Sequence, residues 1–146
     1  MLIHDEIRAL IPHADDMCLL ASVTNWDATH IICTAHSHCD PNNPLALDGK
    51  MPVLCGIEFA AQAMATHGSL TGKVGHRPRA GLLVSVRDVV TRVKYLSDYE
   101  EDLQIEAEQL MAGENSVTYS FSLHVGNIEL LSGRASVVLD AASVKA

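Results

Sequence analysis

Two stretches of this 146-residue chain carry side chains that could do acid–base chemistry. The first is Met51–Gly68, MPVLCGIEFAAQAMATHG, which holds Glu58 and Gln62. On a helix their spacing places both on one face, one turn apart. A carboxylate inside an apolar helix is costly unless it is paired, protonated or employed. Glu58 is therefore half of a candidate active site, or a structural carboxylate bridged by Gln62 or emerging at a subunit boundary. The second stretch is His36–Asp40, HSHCD. Histidine titrates near neutral pH, which suits a general base. The same cluster has the look of a metal site. A chelate, however, needs three or four convergent ligands, and no second cluster is evident, so neither metal nor cofactor is expected.

These residues must be held by the elements around them. Val53, Leu54, Ile57, Phe59, Ala60, Ala61, Ala63, Met64 and Ala65 leave the central helix no broad polar face. A helix apolar all round is buried all round, and this one is too short and interrupted to span a membrane. Pro52 suits its first position and Gly68 its far end. Upstream, Ile3, Ile7, Leu10 and Ile11 recur at helical spacing, which predicts a short helix over 3–11. Met17–Trp26 and His30–Ala35 read as a hairpin turning at Asp27, and residues 36–50 as a loop rich in Pro, Asn and Gly. Downstream, residues 80–97 form a β-prone run whose alternation slips near Asp88, as at a bulge. Leu103, Ile105 and Ala107 alternate with polar residues, and Val117 to Val125 alternate most cleanly. Gly126-Asn127 is a hairpin turn, and a last strand follows over 128–139. Tight turns imply antiparallel pairing. A helix without a polar face needs a cover, and a curved sheet supplies one. The expected fold is α+β: one domain over 1–146, a hot-dog, with a curved antiparallel sheet wrapped around a long buried central helix.

Composition narrows the function. A net charge of −8 argues against a nucleic-acid surface. The acidic, polar-interrupted N-terminus is unlike a signal peptide, and no apolar run is long enough to cross a membrane. Cys18, Cys33, Cys39 and Cys55 contain no C-x-x-C pair, so reduced, mostly buried thiols and a cytoplasmic location are expected. His13, His30, His67, His76 and His124 are scattered and read as surface or internally satisfied histidines.

The chain resembles the bacterial β-hydroxyacyl-acyl-carrier-protein dehydratases. LIPHADDMCLLASV is similar to that family's L-P-H-R-x-P-F-L-L-V-D opening, and MPVLCGIEFAAQAMA to its helix M-P-G-V-L-x-x-E-A-M-A-Q-A. DLQIEAEQL and IELLSGRASVVL resemble its later strands. IPHADDMCLL, NPL and GIEFAAQAMA further resemble a divergent branch associated with aryl polyene biosynthesis, in which a dehydratase-like subunit can pair with a second hot-dog protein. The resemblance implies dehydration of a 3-hydroxyacyl thioester on an acyl carrier protein, by a homodimer or a heterodimer with another hot-dog protein. It implies Glu58 as the acid. The family's G-H-F-P histidine has no direct counterpart: Pro44 stands at its spacing, and His38-Cys39-Asp40-Pro41 matches only with a longer loop. His38 is the implied base and His36 the competing choice. Val53 replaces a glycine whose N–H binds the thioester oxygen in the family. Gly56, with no side chain, permits close approach of the acyl chain, and Gln62 completes the substrate-binding set. Arg77, Arg79, Arg87, Arg92 and Lys94 are candidates for a basic patch that would receive an acidic carrier protein, or are solvated structural cations. Two alternatives remain: a hot-dog thioesterase, and a non-autonomous subunit that completes a partner's active site.

Overall fold

The computed structural model describes residues 1–11, 17–72, 82–114 and 116–138. His13, His76, Arg77, Arg79, the segment 73–81 and the tail 139–146 lie outside the described residues. The elements run β1 (Leu2–Ile3), α1 (His4–Leu10), β2 (Ser22–Trp26), β3 (His30–Ala35), α2 (Gly56–Thr71), β4 (Leu82–Thr91), β5 (Leu103–Ala112), β6 (Ser116–Val125) and β7 (Ile128–Val138). The strands form one sheet of order β1-β2-β3-β5-β6-β7-β4, and every neighbouring pair is antiparallel.

Alternation along the strands decides which face meets the helix. Ile31, Cys33 and Ala35 on β3, Leu103, Ile105 and Ala107 on β5, and Tyr119, Phe121 and Leu123 on β6 are buried. Successive side chains of a strand point to opposite faces, so these share one face. Helix α2 packs there, contributing Phe59, Ala60, Ala63 and Met64 to the same core. From Gly56 to Leu70 every helix residue is buried or half-buried. The helix without a polar face thus receives a wrapping sheet, as the sequence anticipates.

The starts and stops differ from the sequence reading where backbone groups find partners outside the sheet. The strand expected from Met17 begins at Ser22, because Leu19 N–H donates to the Gln62 side chain instead of to a strand. The run expected to reach Ser97 leaves the sheet after Thr91. Lys94 C=O there accepts from Val53 N–H at 2.9 Å, and Leu96 N–H donates to Met51 C=O at 2.8 Å. Pro52 does not open α2. It precedes a 3-10 turn, Val53–Cys55, and its carbonyl accepts the Cys55 N–H at 3.0 Å. Nor does Gly68 end the helix, which runs on to Thr71. A mid-helix glycine costs about 1 kcal/mol, and here the last turn is pinned: Ser69 Oγ donates to Leu10 C=O and Thr71 Oγ1 to His67 C=O, both at 2.8 Å. The expected irregularity at Asp88 is present as a register shift between Arg87 and Val90, with Asp88 at φ 55.

Two packed details carry measurable weight. A Cβ on Gly56 would lie 2.7 Å from Leu131 Cδ2 and 2.9 Å from Leu123 Cδ2. The sequence reading reserves this position for close approach of an acyl chain; the neighbours that claim the space are instead leucines of the sheet. Near the other end of α2, His67 is wholly buried. Its Nε2–H donates to Asp27 C=O at 2.9 Å, since a carbonyl can only accept, so Nδ1 accepts from Tyr119 O–H at 2.8 Å. Burial holds the His67 pKa below the usual histidine value and pushes Tyr119 up to about 12.

Gly56→Ala overfills the helix–sheet contact and should lower stability by about 1–3 kcal/mol, read as a shift in the urea midpoint. His67 is neutral when folded, whereas the unfolded histidine protonates below about pH 6.5. Its contribution is therefore intact at neutral pH and lost as pH falls through the unfolded value toward the lower folded one. Urea midpoints measured from pH 8 to pH 5 should decline on the acid side, and His67→Gln should flatten that decline.

Candidate functional site

Glu58 and Gln62 stand in the N-terminal half of α2, whose start is held by main-chain groups. Met51 N–H donates to Ser97 Oγ at 2.9 Å. Together with the Lys94–Val53 and Leu96–Met51 bonds, this seats the start of the helix against residues 94–97. Glu58 lies in the first turn of α2. Gln62, one turn on, is wholly buried. Its Oε1 accepts Leu19 N–H at 2.8 Å, and its Nε2 donates to Met17 C=O and, at 3.3 Å, to Glu58 Oε1. The Gln62–Glu58 bridge, which the sequence offers as the structural reading of this carboxylate, is present, and the same amide also holds the Met17–Leu19 backbone against the helix.

His38 sits on a 3-10 turn, Ser37–Cys39, and is 1% exposed, whereas His36 is exposed. His38 Nε2 lies 2.7 Å from Tyr99 C=O. The carbonyl can only accept, so the proton is on Nε2 and Nδ1 keeps a bare lone pair. That Nδ1 is buried and has no hydrogen-bond partner among the described residues. Burial lowers the His38 pKa, outweighing the main-chain groups of Tyr99 and Glu101 and the charge of Asp102, which act the other way. The imidazole thus has one nitrogen anchored on a carbonyl and the other buried without a partner among the described residues.

One residue, Leu19, links the two stretches through its main chain. Leu19 N–H reaches the Gln62 side chain, and Leu19 C=O accepts from Ser37 Oγ at 2.8 Å. Glu58 is held through Gln62 and His38 through its neighbour Ser37, so the Met17–Leu20 segment is a common brace for both. Sequence patterns carry no sign of this, because the linking groups belong to the backbone of Leu19 and Tyr99.

Other expected residues fall as follows. Val53 is buried, and the N–H assigned by resemblance to the thioester oxygen is donated to Lys94 C=O. Cys55 N–H is engaged by Pro52 C=O and Gly56 N–H by Val53 C=O. Among the described residues of this first turn, Leu54 N–H has no acceptor. Cys39 is exposed, its thiol 3.2 Å from the same Tyr99 carbonyl, while Cys18 and Cys33 are buried and Cys55 half-buried. Burial drives Cys33 up to about 12, so it is an inert thiol. No group of three or more His, Cys, Asp or Glu among the described residues is arranged to hold a metal ion. A recess of about 370 Å³ lies on the outer sheet face, lined by Glu106, Ser122 and Arg134 among others; neither His38 nor Glu58 borders it. No described helix is long and apolar enough to cross a membrane.

Comparison with known proteins places this arrangement. No curated protein sequence matches the chain. Among solved structures, the chain is similar to the dehydratase heterocomplex ApeI:P from Xenorhabdus doucetiae, with a TM-score of 0.81 at 24% identity over 91% of this chain and 90% of that one. It is also similar in fold to a hypothetical thioesterase protein with coenzyme A from Streptococcus pneumoniae, with a TM-score of 0.61 at 11% identity over 81% and 84% of the two chains. A thioesterase from Staphylococcus aureus gives a TM-score of 0.63 at 9% identity over 82% and 92%. These likenesses establish the hot-dog fold. The family model for ApeP dehydratase matches residues 5–145, nearly the whole length. The chain therefore belongs to the ApeP-like family of dehydratases.

Proposed function

We propose that the protein removes water from a 3-hydroxyacyl thioester carried on an acyl carrier protein, giving the trans-2-enoyl thioester, in aryl polyene biosynthesis in the cytoplasm. The observation that carries this reading is the buried His38, anchored through Nε2–H on Tyr99 C=O with a bare Nδ1. That nitrogen takes the α-proton, and the C–H electron pair becomes the C=C bond. Glu58 delivers a proton to the 3-hydroxyl, which leaves as water when its C–O bond breaks. Gln62 is a positioning residue for the Glu58 carboxylate. Charge that develops on the thioester oxygen needs a donor. Leu54 N–H, at the positive end of α2, serves better than the engaged Val53 N–H. Val53 then contributes its apolar side chain to the lining.

Two features support a second hot-dog subunit. Strand β4 ends the sheet order, so among the described residues one of its edges has no strand beside it, and Val89 and Val90 are 36% and 42% exposed. Such an edge is a template for pairing with another strand. On α2, Ile57, Ala61, Ala65 and Gly68 form a half-buried stripe of apolar and small residues. The similarity to a solved heterocomplex favours a mixed pair over a homodimer. Arg87 and Lys94 remain exposed for an acidic carrier protein. Lys50, with its ammonium 5.1 Å from the Tyr95 ring, stands beside the same helix start.

The test supplies a 3-hydroxyacyl carrier-protein thioester to the chain alone and with a second hot-dog subunit, following loss of water by mass spectrometry. Enoyl product is expected, and a hydrolysed acid would favour the thioesterase alternative. Within the active complex, His38→Ala and Glu58→Gln should each lower turnover by about 10²–10⁴-fold. Undiminished turnover with both variants would assign catalysis to the partner and leave this chain a supporting subunit. Replacing Val89 with Pro should abolish association in light scattering if β4 is the pairing edge.

A further inference from the structure

We propose that Asn43 is a positioning residue for His38, an inference that rests on the reading of His38 as the base. Asn43 is 6% exposed although it lies in the loop that connects β3 to the central helix. A buried amide in a loop is unfavourable unless all its polar groups are satisfied. Here Nδ2 donates to Ser37 C=O and Oδ1 accepts from Leu45 N–H, both at 2.9 Å. Its main-chain N–H donates to Asp40 C=O at 3.0 Å, and its C=O accepts from Ala46 N–H at 2.9 Å. The side chain thus grips the residue immediately before His38, and the backbone grips the loop two residues after it.

That grip matters because the turn carrying His38 is only three residues long. So short a 3-10 turn has little stability of its own. The Ser37 carbonyl accepts both the Asn43 amide and Asp40 N–H, the latter at 3.2 Å, so loss of the amide leaves the turn closed by that bond and by Cys39 N–H on His36 C=O at 3.4 Å, both longer than the one removed. The imidazole must keep Nε2–H on the Tyr99 carbonyl for Nδ1 to remain bare and correctly aimed. A small rotation of the turn breaks that bond, and a displacement of about 1 Å at a reacting group costs on the order of 10²-fold in rate.

Asn43→Asp separates the two side-chain bonds. The carboxylate still accepts from Leu45 N–H but cannot donate to Ser37 C=O. In the complex with its hot-dog partner, the variant should lower kcat by about 10–10²-fold with KM unchanged. Nitrogen NMR of the His38 ring, at a pH where it is neutral, should show separate protonated and bare nitrogens in the parent and their collapse toward an average in the variant. A folded Asn43→Asp protein with both the parent ring spectrum and the parent kcat would overturn the proposal. If that variant does not fold, Asn43→Ser is judged by the same two readouts. The ring spectrum reports on positioning even without turnover: a collapsed spectrum beside a parent protein lacking dehydratase activity would uphold the positioning role while removing the catalytic reading.

Discussion

The arrangement depends on satisfying one buried amide. Gln62 lies inside the wrapped helix with no solvent contact, and an unpaired amide there would cost several kcal/mol on transfer scales. Its oxygen and nitrogen are instead bonded to Leu19, Met17 and Glu58. Those bonds draw the Met17–Leu20 backbone onto the helix and keep it out of the sheet. They also restrain a carboxylate oxygen in the first turn of α2. Because Leu19 has a second polar group, its carbonyl, the restraint passes on to Ser37 and the turn that carries His38.

A second backbone segment works from the opposite side. After Thr91 the chain leaves the sheet, and Lys94, Leu96 and Ser97 bond to Val53 and Met51 at the start of the helix. Tyr99, a few residues on, offers its carbonyl to His38. The same short segment therefore seats the helix start and selects the tautomer of the imidazole. A carbonyl suits this role because it has no proton to give. It specifies which ring nitrogen is protonated without adding charge to the site. Burial then keeps the ring neutral and available as a base.

The sheet is finished on its inner face and open at one side. Its outer face carries Glu106, Glu108, Ser120, Ser122 and Arg134, polar residues that alternate with the core set. The β4 edge differs, because exposed valines accompany main-chain groups that have no strand beside them among the described residues. A bulge at Asp88 interrupts only its pairing to β7.

Much of the fold was legible in residue order. Period-two alternation marked β5 and β6, and the lack of a polar face on 51–68 demanded a helix with a cover. Residue type and spacing also singled out Glu58, Gln62 and the His36–His38 loop, and resemblance implied roles for them. Helix and strand limits were less legible: Pro52, Gly68 and the runs 17–21 and 92–97 carry the right local chemistry for the expected elements. Tertiary bonds overrode it, through the Gln62 amide, the Ser69 hydroxyl and the pairing of residues 94–97 with 51–53. Only the folded chain separated His38 from His36, by burying one and exposing the other, and only it showed that Val53 N–H is already engaged. Side-chain periodicity records which faces avoid water and therefore survives in sequence. The partner of a peptide N–H or C=O depends on where distant segments meet, and every residue but proline carries the same two groups, so that choice is made in three dimensions.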